Sequence, residues 1–334
     1  MSRDGADVAG TAQTTAAADA GRFALADAYS RCEAITREQA ANFFYGIRLL
    51  PGERRRAISA VYAFARRIDD IGDGSLEPAA KLRLLDEQAR LLGSLEHGCA
   101  APQDDPVMVA LADAQRRFSL PGDALPELIA GVRMDVEGVR YERFDDLVLY
   151  CRRVAGGIGR VCLAIFGKRP GVHVSREDSE ALADELGVAM QVTNILRDLR
   201  EDALNGRVYV PADDLRRFGI LAPDGEREGA EAMLAALDAA GGGPPGPVDA
   251  PAQGVPALVR FEAERAREWF DRGIALTRLL DRRSAASVVA MAGIYRRLLD
   301  RIERDPERAA RGRVTLPARE KAWVALSGML RGSA

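Results

Sequence analysis

From Arg22 onward apolar residues recur at helical spacing in nearly every stretch, and no run alternates β-branched with polar residues. An all-α fold is therefore expected. Helices are read at about 23 to 45, 53 to 71, 78 to 94, 104 to 118, 123 to 138, 144 to 167, 175 to 203, 211 to 218, 256 to 281, 284 to 304 and 316 to 331. Leu50-Pro51-Gly52 and Leu120-Pro121-Gly122 separate neighbours, and Ser175 with Glu177 and Asp178 opens the long central helix. Residues 1–20, rich in Ala, Thr, Gly and Asp, are read as a disordered leader, and 21–334 as a single domain. The stretch at about 223–256 contains Gly241-Gly242-Gly243-Pro244-Pro245-Gly246-Pro247 and is read as a flexible insertion without a packed face. The roughly 80 residues after it are too few helices for a core of their own.

Charge and cysteine usage exclude several functions. With 47 Lys+Arg against 50 Asp+Glu, the chain has no overall positive field to attract nucleic acid. Cys32, Cys99, Cys151 and Cys162 are scattered and the chain holds 2 histidines, which indicates neither a disulfide framework nor a zinc site. A reducing, cytoplasmic setting fits. The longest apolar-leaning run, Ser284 to Tyr295, suits one buried helix and not a membrane span.

Two acid clusters carry the chemistry. In Arg66-Arg67-Ile68-Asp69-Asp70-Ile71-Gly72-Asp73, Asp69 and Asp73 stack on one helix face with Asp70 beside them. They close a helix, where the macrodipole favours cations. Late in the central helix, Gln191, Asn194, Asp198, Glu201 and Asp202 form a single stripe at a 3.6-residue period, while Val192, Ile195, Leu196 and Leu199 supply apolar contacts. Either run alone reads equally as a solvated helix end balanced by Arg66, Arg67, Arg197 and Arg200. Together they do not, because carboxylates about 5 Å apart repel by about 3 kcal/mol per pair at an effective dielectric of 20. Facing acids require a cation, and hard oxygen ligands shared with water and phosphate describe Mg²⁺. The residues thus point to a helical bundle that binds a diphosphate through Mg²⁺, turning it into a leaving group over an otherwise apolar cavity. Arg66, Arg197 and Arg207 are candidates for a diphosphate clamp.

At these residues the sequence resembles the squalene and phytoene synthase family of head-to-head prenyl transferases. Asp69 to Asp73 resembles the family's first aspartate-rich motif, and Gln191 to Asp202, continuing into Gly206-Arg207-Val208-Tyr209-Val210-Pro211, resembles the second. Tyr150-Cys151-Arg152-Arg153-Val154-Ala155-Gly156-Gly157-Ile158-Gly159 is similar to its tyrosine-cysteine segment, although close helix packing accounts for those small residues equally well. The resemblance implies an isoprenoid synthase bundle around a central apolar cavity. It implies Mg²⁺, or Mn²⁺, on Asp69, Asp73, Asp198 and Asp202, with Asp70, Asn194 and Glu201 as further ligands. Tyr150 would lie near the cyclopropyl intermediate and assist proton removal. Phe43, Gln191, Tyr209, Tyr295 and Arg313 become substrate-binding candidates.

The segment Gln39-Ala40-Ala41-Asn42-Phe43-Phe44-Tyr45-Gly46-Ile47-Arg48-Leu49-Leu50-Pro51 separates subfamilies. Phytoene and dehydrosqualene synthases share a His/Ser-x-Ser-Phe stretch there, whose hydroxyls meet a diphosphate. Here Ala40 and Asn42 replace both hydroxyls, and the run is instead similar to bacterial presqualene diphosphate synthases of the hopanoid pathway; Asn42 and Arg48 are the remaining donors. The resemblance then implies condensation of two farnesyl diphosphates to presqualene diphosphate, with no requirement for NADPH. The alternatives are a phytoene or dehydrosqualene synthase and a helical binding protein that has lost its chemistry. The chain ends without the hydrophobic tail of anchored squalene synthases. The expected location is cytoplasmic, with transient contact at the inner membrane face or with pathway enzymes.

Overall fold

The computed structural model describes residues 23–222, 229–241 and 254–331. The leader read at 1–20 lies outside them. Helices form the structure; among the described residues the nearest approach to a strand is one antiparallel bridge between Lys168 and Leu280. In chain order they are α1 (Leu25–Gln39), α2 (Phe43–Ile47), α3 (Gly52–Asp73), α4 (Pro78–Glu96), α5 (Pro106–Phe118), α6 (Ala124–Glu137), α7 (Phe144–Cys151), a π turn (Arg152–Gly156) and α8 (Gly157–Phe166). The order continues with α9 (Arg176–Leu204), α10 (Ala212–Arg217), α11 (Gly229–Ala240), α12 (Gly254–Gly273), a 3₁₀ turn (Ile274–Leu279), α13 (Arg282–Arg304), α14 (Pro306–Arg311) and α15 (Ala318–Arg331).

Helix starts follow local chemistry. Asp105 caps α5 by accepting from the Val107 and Met108 amides at 3.0 and 3.2 Å, and Pro106 occupies the first helical position, where its missing N–H costs nothing. Ser175 caps α9 through the Asp178 amide at 2.9 Å, and Asp281 caps α13 through Arg283 and Ser284. Asp105 also receives both terminal nitrogens of Arg67, at 2.6 and 2.7 Å, which ties α3 to α5.

The long α9 is the central element and packs against α8, α11, α12, α13, α14 and the π turn. Its inner face buries Ala183, Leu186, Val188, Ala189, Val192 and Leu196. Close crossings rely on missing side chains: a Cβ on Gly187 would lie 2.7 Å from backbone atoms of Ala155 and Gly156. On the opposite side α3 packs on α1, α4, α5 and α6, with Phe64 and Ile68 fully buried.

Four sequence expectations change. The helix read at 23 to 45 breaks after Gln39, because Ala40 turns inward and is buried while Gly46 lets α2 lie against Ser287 and Met291 of α13. The helix read at 144 to 167 contains the π turn, whose Gly156 lies at the crossing with α9. The helix read at 256 to 281 ends at Gly273, and the 3₁₀ turn that follows carries Leu276 to the cavity wall. Within the stretch read as an insertion without a packed face, α11 buries Ala232, Met233 and Leu237. Its Ala-rich sequence favours helix, and averaging it with the adjacent Gly/Pro run hides that preference. Residues 223–228 and 242–253 lie outside the described residues.

A Cβ on Gly273 would lie 2.7 Å from the Leu186 amide nitrogen, forcing α12 away from α9. Gly273→Ala is expected to destabilise the fold by about 1–3 kcal/mol through overpacking, read as a lower urea midpoint. An unchanged midpoint would contradict this packing.

Candidate active site

Between α3, α8, α9 and α13 lies a cavity of about 390 Å³. Its walls in depth are apolar, built from Ile58, Val61, Leu163, Phe166, Leu186 and Val288, while Asp69, Arg66, Gln191, Asn194, Arg197 and Arg313 line its polar end. At 1.5 Å per residue, the path along α3 from Asp69 to Ile58 is about 16 Å, and along α9 from Arg197 to Ala183 about 21 Å. α3 and α9 both point their C-terminal ends at the mouth, so the two acid runs face one pole of the cavity.

At that pole carboxylates crowd one another. Asp69 opens to the mouth, yet surrounding protein and then the charge of Asp73 push its carboxyl up to about 7, with Arg66 opposing the rise. Asp202 is also pushed up to about 7, first by lost solvation and then by Asp198, against the pull of Arg207. Arginines bridge what the acids would otherwise separate. Arg207 donates to Asp73 at 2.7 Å and to the Gly72 carbonyl at 3.1 Å, joining the end of α9 to the end of α3. Arg197 grips Asp198 through Nε at 2.8 Å and a second nitrogen, and Arg313 stands 3.3 Å from both Asp198 and Glu201. Arg66 pairs with Asp70 at 2.6 Å.

Most sequence candidates therefore meet. Asn42, Phe43 and Tyr295 complete the mouth, with the Phe43 and Tyr295 rings 5.5 Å apart. Burial raises the Tyr295 phenol, and Arg197, Asn42 and Asn194 oppose that rise. Arg48 is not brought to the cavity: it is exposed and absent from the wall, because α2 turns Ile47 inward instead. Tyr150 is buried away from the cavity wall, where its hydroxyl donates to Asp135 at 2.9 Å. Tyr209 donates to the other oxygen of Asp135, also at 2.9 Å. Arg67 and Arg200 leave the acid runs, Arg67 for Asp105 and Arg200 for Asp238 and the Ala310 carbonyl. The balance of charge by four arginines is thus reduced to Arg66 and Arg197 from the runs themselves.

Two residues of this pole escaped the sequence reading. Tyr62 lines the cavity one helical turn from Arg66, its hydroxyl pushed up to about 12 by burial, so it stays neutral. Asp135 lies in the last turn of α6, before the left-handed Gly138, where burial raises its carboxyl to about 6 against the hydrogen bonds of Tyr209 and Tyr150 and the charge of Arg207. An acid in a helix's last turn opposes the macrodipole, the same signal that marks Asp69 to Asp73.

The donor set suits a hard divalent cation. Asn194 Oδ1 is buried without a hydrogen-bond partner beside these acids, and such an oxygen is a neutral ligand in waiting. Among the described residues no three acids, histidines or cysteines converge tightly enough to enclose an ion by themselves. Mg²⁺ commonly takes one or two carboxylates and completes its shell with water and phosphate oxygens.

With no cation bound, the raised acids make a pH-dependent difference. The folded chain holds protons on Asp69 and Asp202 that the unfolded chain releases near pH 4, so this contribution to stability is full below that pH and is lost as pH rises to about 7. Asp69→Asn, uncharged throughout, is expected to match the native chain near pH 4 and to exceed it in stability increasingly up to about pH 7. Urea unfolding without divalent cations measures this; a pH-independent difference would contradict it.

The sequence profile of the squalene/phytoene synthase family matches residues 36–320. A phytoene synthase of Mycobacterium tuberculosis is 45% identical over 305 residues, covering 91% of each chain. One from Arthrospira platensis is 36% identical over 307 residues, covering 88% of this chain and 90% of its own. Among solved structures, the squalene synthase HpnC of Alicyclobacillus acidocaldarius superposes with a TM-score of 0.69 at 26% identity, over 87% of this chain and 97% of its own. A ligand-bound dehydrosqualene synthase shares the fold, with a TM-score of 0.73 at 24% identity over 92% of this chain and 97% of its own. Enzymes of this family are prenyltransferases that act on prenyl diphosphates, and the acid-rimmed mouth over an apolar sleeve is what such substrates need. The chain belongs to the squalene/phytoene synthase family.

Proposed function

We propose that this protein is a presqualene diphosphate synthase, joining two farnesyl diphosphates head to head and releasing one diphosphate. The observation that carries the head-to-head prenyl transfer is the cavity itself: Asp69, Arg66, Arg197 and Arg313 at one end, the two arginines of the far wall tied to the second acid run, and an apolar sleeve behind. The choice of a C15 substrate rests on the run Gln39 to Pro51, where Ala40 and Asn42 stand in place of hydroxyls. The likeness to HpnC, a squalene synthase, is consistent with that choice.

The residues divide the work. Arg66, Arg197, Arg207 and Arg313 would hold the diphosphate oxygens, and Asn42 and Asn194 would add amide contacts at the mouth. Asp69, Asp73, Asp198 and Asp202 would hold Mg²⁺ or Mn²⁺, with Asp70, Asn194 and Glu201 near enough in sequence to complete the set. A bound divalent ion supplies positive charge that offsets the negative charge growing on the departing diphosphate. The allylic C–O bond breaks with its electron pair leaving on diphosphate, and the 2,3 double bond of the second prenyl group attacks the cation. Loss of a proton closes the cyclopropane, and the second diphosphate is retained. Phe43, Tyr62 and Tyr295 line this region, and aromatic faces attract cationic carbon while neutral phenols avoid trapping it. NADPH plays no part in these steps.

A second reading, phytoene synthesis from geranylgeranyl diphosphate, is favoured by the names of the relatives at 45% and 36% identity. Incubation with each diphosphate and Mg²⁺, without a nicotinamide, followed by mass spectrometry, separates the two. Presqualene diphosphate, with one diphosphate freed per two farnesyl groups, is expected. A C40 product from geranylgeranyl diphosphate alone would transfer the assignment to the second reading, and no product from either would overturn prenyl condensation. Asp69→Ala and Asp198→Ala are each expected to lower turnover by at least roughly 100-fold with the helical circular dichroism unchanged. Near-native turnover in either would contradict the roles assigned to them.

A further inference from the structure

Both carboxylate oxygens of Asp135 are occupied by tyrosine hydroxyls, Oδ1 by Tyr209 and Oδ2 by Tyr150, each at 2.9 Å. The two rings stack with centroids 5.1 Å apart and 26° between planes, and Tyr141 stands against them at 5.5 and 6.2 Å. This makes a rigid block that spans α6, α7 and the segment after α9. Tyr209 belongs to that segment, two residues beyond Arg207. Between Leu204 and Ala212 the chain has no helix to hold it; its fixed points include the Gly206 amide on the Ala203 carbonyl at 3.0 Å, the Arg207 amide on the Asp202 carbonyl at 2.8 Å, the Tyr209 hydroxyl on Asp135, and the Ala212 amide on the Tyr141 carbonyl at 2.9 Å. The Arg207 guanidinium, held between these points, reaches across to Asp73 and the Gly72 carbonyl.

We propose that Asp135 is a positioning residue for the diphosphate site: by seizing the Tyr209 and Tyr150 hydroxyls it fixes the segment that carries Arg207, so that this guanidinium stands between the two acid runs. The inference rests on the proposed function, in which a diphosphate binds at this mouth. Asp135 lies outside the cavity wall, so its route to a bound diphosphate is Arg207, while its charge adds to the field at Asp69 and Asp202. A carboxylate accepts from both hydroxyls at once, one on each oxygen; an amide keeps one acceptor oxygen and presents an N–H to the other phenol, which must turn its own hydrogen away to accept it.

The test is a double-mutant cycle between Asp135→Asn and Arg207→Gln, read as affinity for inorganic diphosphate at fixed MgCl₂ by titration calorimetry, with thermal midpoints alongside. Asp135→Asn is expected to weaken binding about tenfold in the native background, the effect of one lost hydrogen bond's worth of placement, and by less than about twofold when Arg207 is already Gln. Tyr209→Phe, a milder change that decides the matter should Asp135→Asn fail to fold, is expected to weaken binding several-fold with the same dependence on Arg207. Equal losses in both backgrounds, or unchanged affinity in the native one, would overturn the proposal. So would a native chain that binds no diphosphate. Diphosphate binding by a chain that makes no prenyl product would instead overturn the assigned activity and leave the role of Asp135 standing.

Discussion

Three helices, α3, α6 and α9, end at one pole of the molecule with acids in their last turns, and the rest of the site answers to that excess of negative charge. The backbone carbonyls of a helix C-terminus already carry partial negative charge. Adding Asp69, Asp70 and Asp73 to one end, Asp135 to the second and Asp198, Glu201 and Asp202 to the third opposes the macrodipole three times over. The consequence is visible in Asp69 and Asp202, whose carboxyls are held near neutrality, and in the arginines drawn in from distant parts of the chain. Arg313 comes from far along the chain and spans Asp198 and Glu201, and Arg207, just past the second run, reaches across to Asp73 of the first. Such a pole suits a ligand that brings divalent cations and phosphate oxygens together.

The remainder of the fold keeps that pole next to a dry space. α3 and α9 run from the apolar floor to the charged mouth, so one helix face supplies Ile58 and Val61 at depth and Asp69 at the rim, and the other supplies Ala183 and Leu186 at depth and Arg197 at the rim. The cavity exists because small residues draw the walls together elsewhere: Gly187 admits the π turn, and Gly273 admits α9 against α12. A prenyl chain in the sleeve and its diphosphate at the rim therefore experience two solvents within one site. In the proposed reaction the carbocation would form between aromatic faces and apolar walls, which suits carbon–carbon bond formation over hydrolysis.

The sequence spoke most clearly where periodicity and chemistry coincided. The stripe of Gln191, Asn194, Asp198, Glu201 and Asp202 and the run ending at Asp73 were readable because polar residues occupied positions a core helix would fill with Leu or Val. Helix ends marked by Ser175 or the turn at Pro51 were readable from local chemistry. What escaped depends on tertiary packing. No breaker announces the end of α1 at Gln39, and the π turn follows from contact with Gly187. The α11 helix was hidden by averaging over its Gly/Pro neighbours, while Asp135, a single acid, becomes informative once Tyr150 and Tyr209 close on it. Arg48 carried the right charge in the right segment, but α2 turns it to solvent.

If the crowded pole is what recruits substrate, diphosphate and divalent cation must bind as coupled ligands, each relieving the charge that opposes the other. The most direct measurement is the affinity of the purified native chain for inorganic diphosphate across a series of MgCl₂ concentrations, by titration calorimetry. Little binding is expected without the cation, and an affinity that rises by at least roughly tenfold as Mg²⁺ is added, with the reciprocal rise in Mg²⁺ affinity that linkage requires. Diphosphate binding of equal strength with and without Mg²⁺ would show that the arginines suffice, and would contradict the role of the facing carboxylates in recruiting the cation.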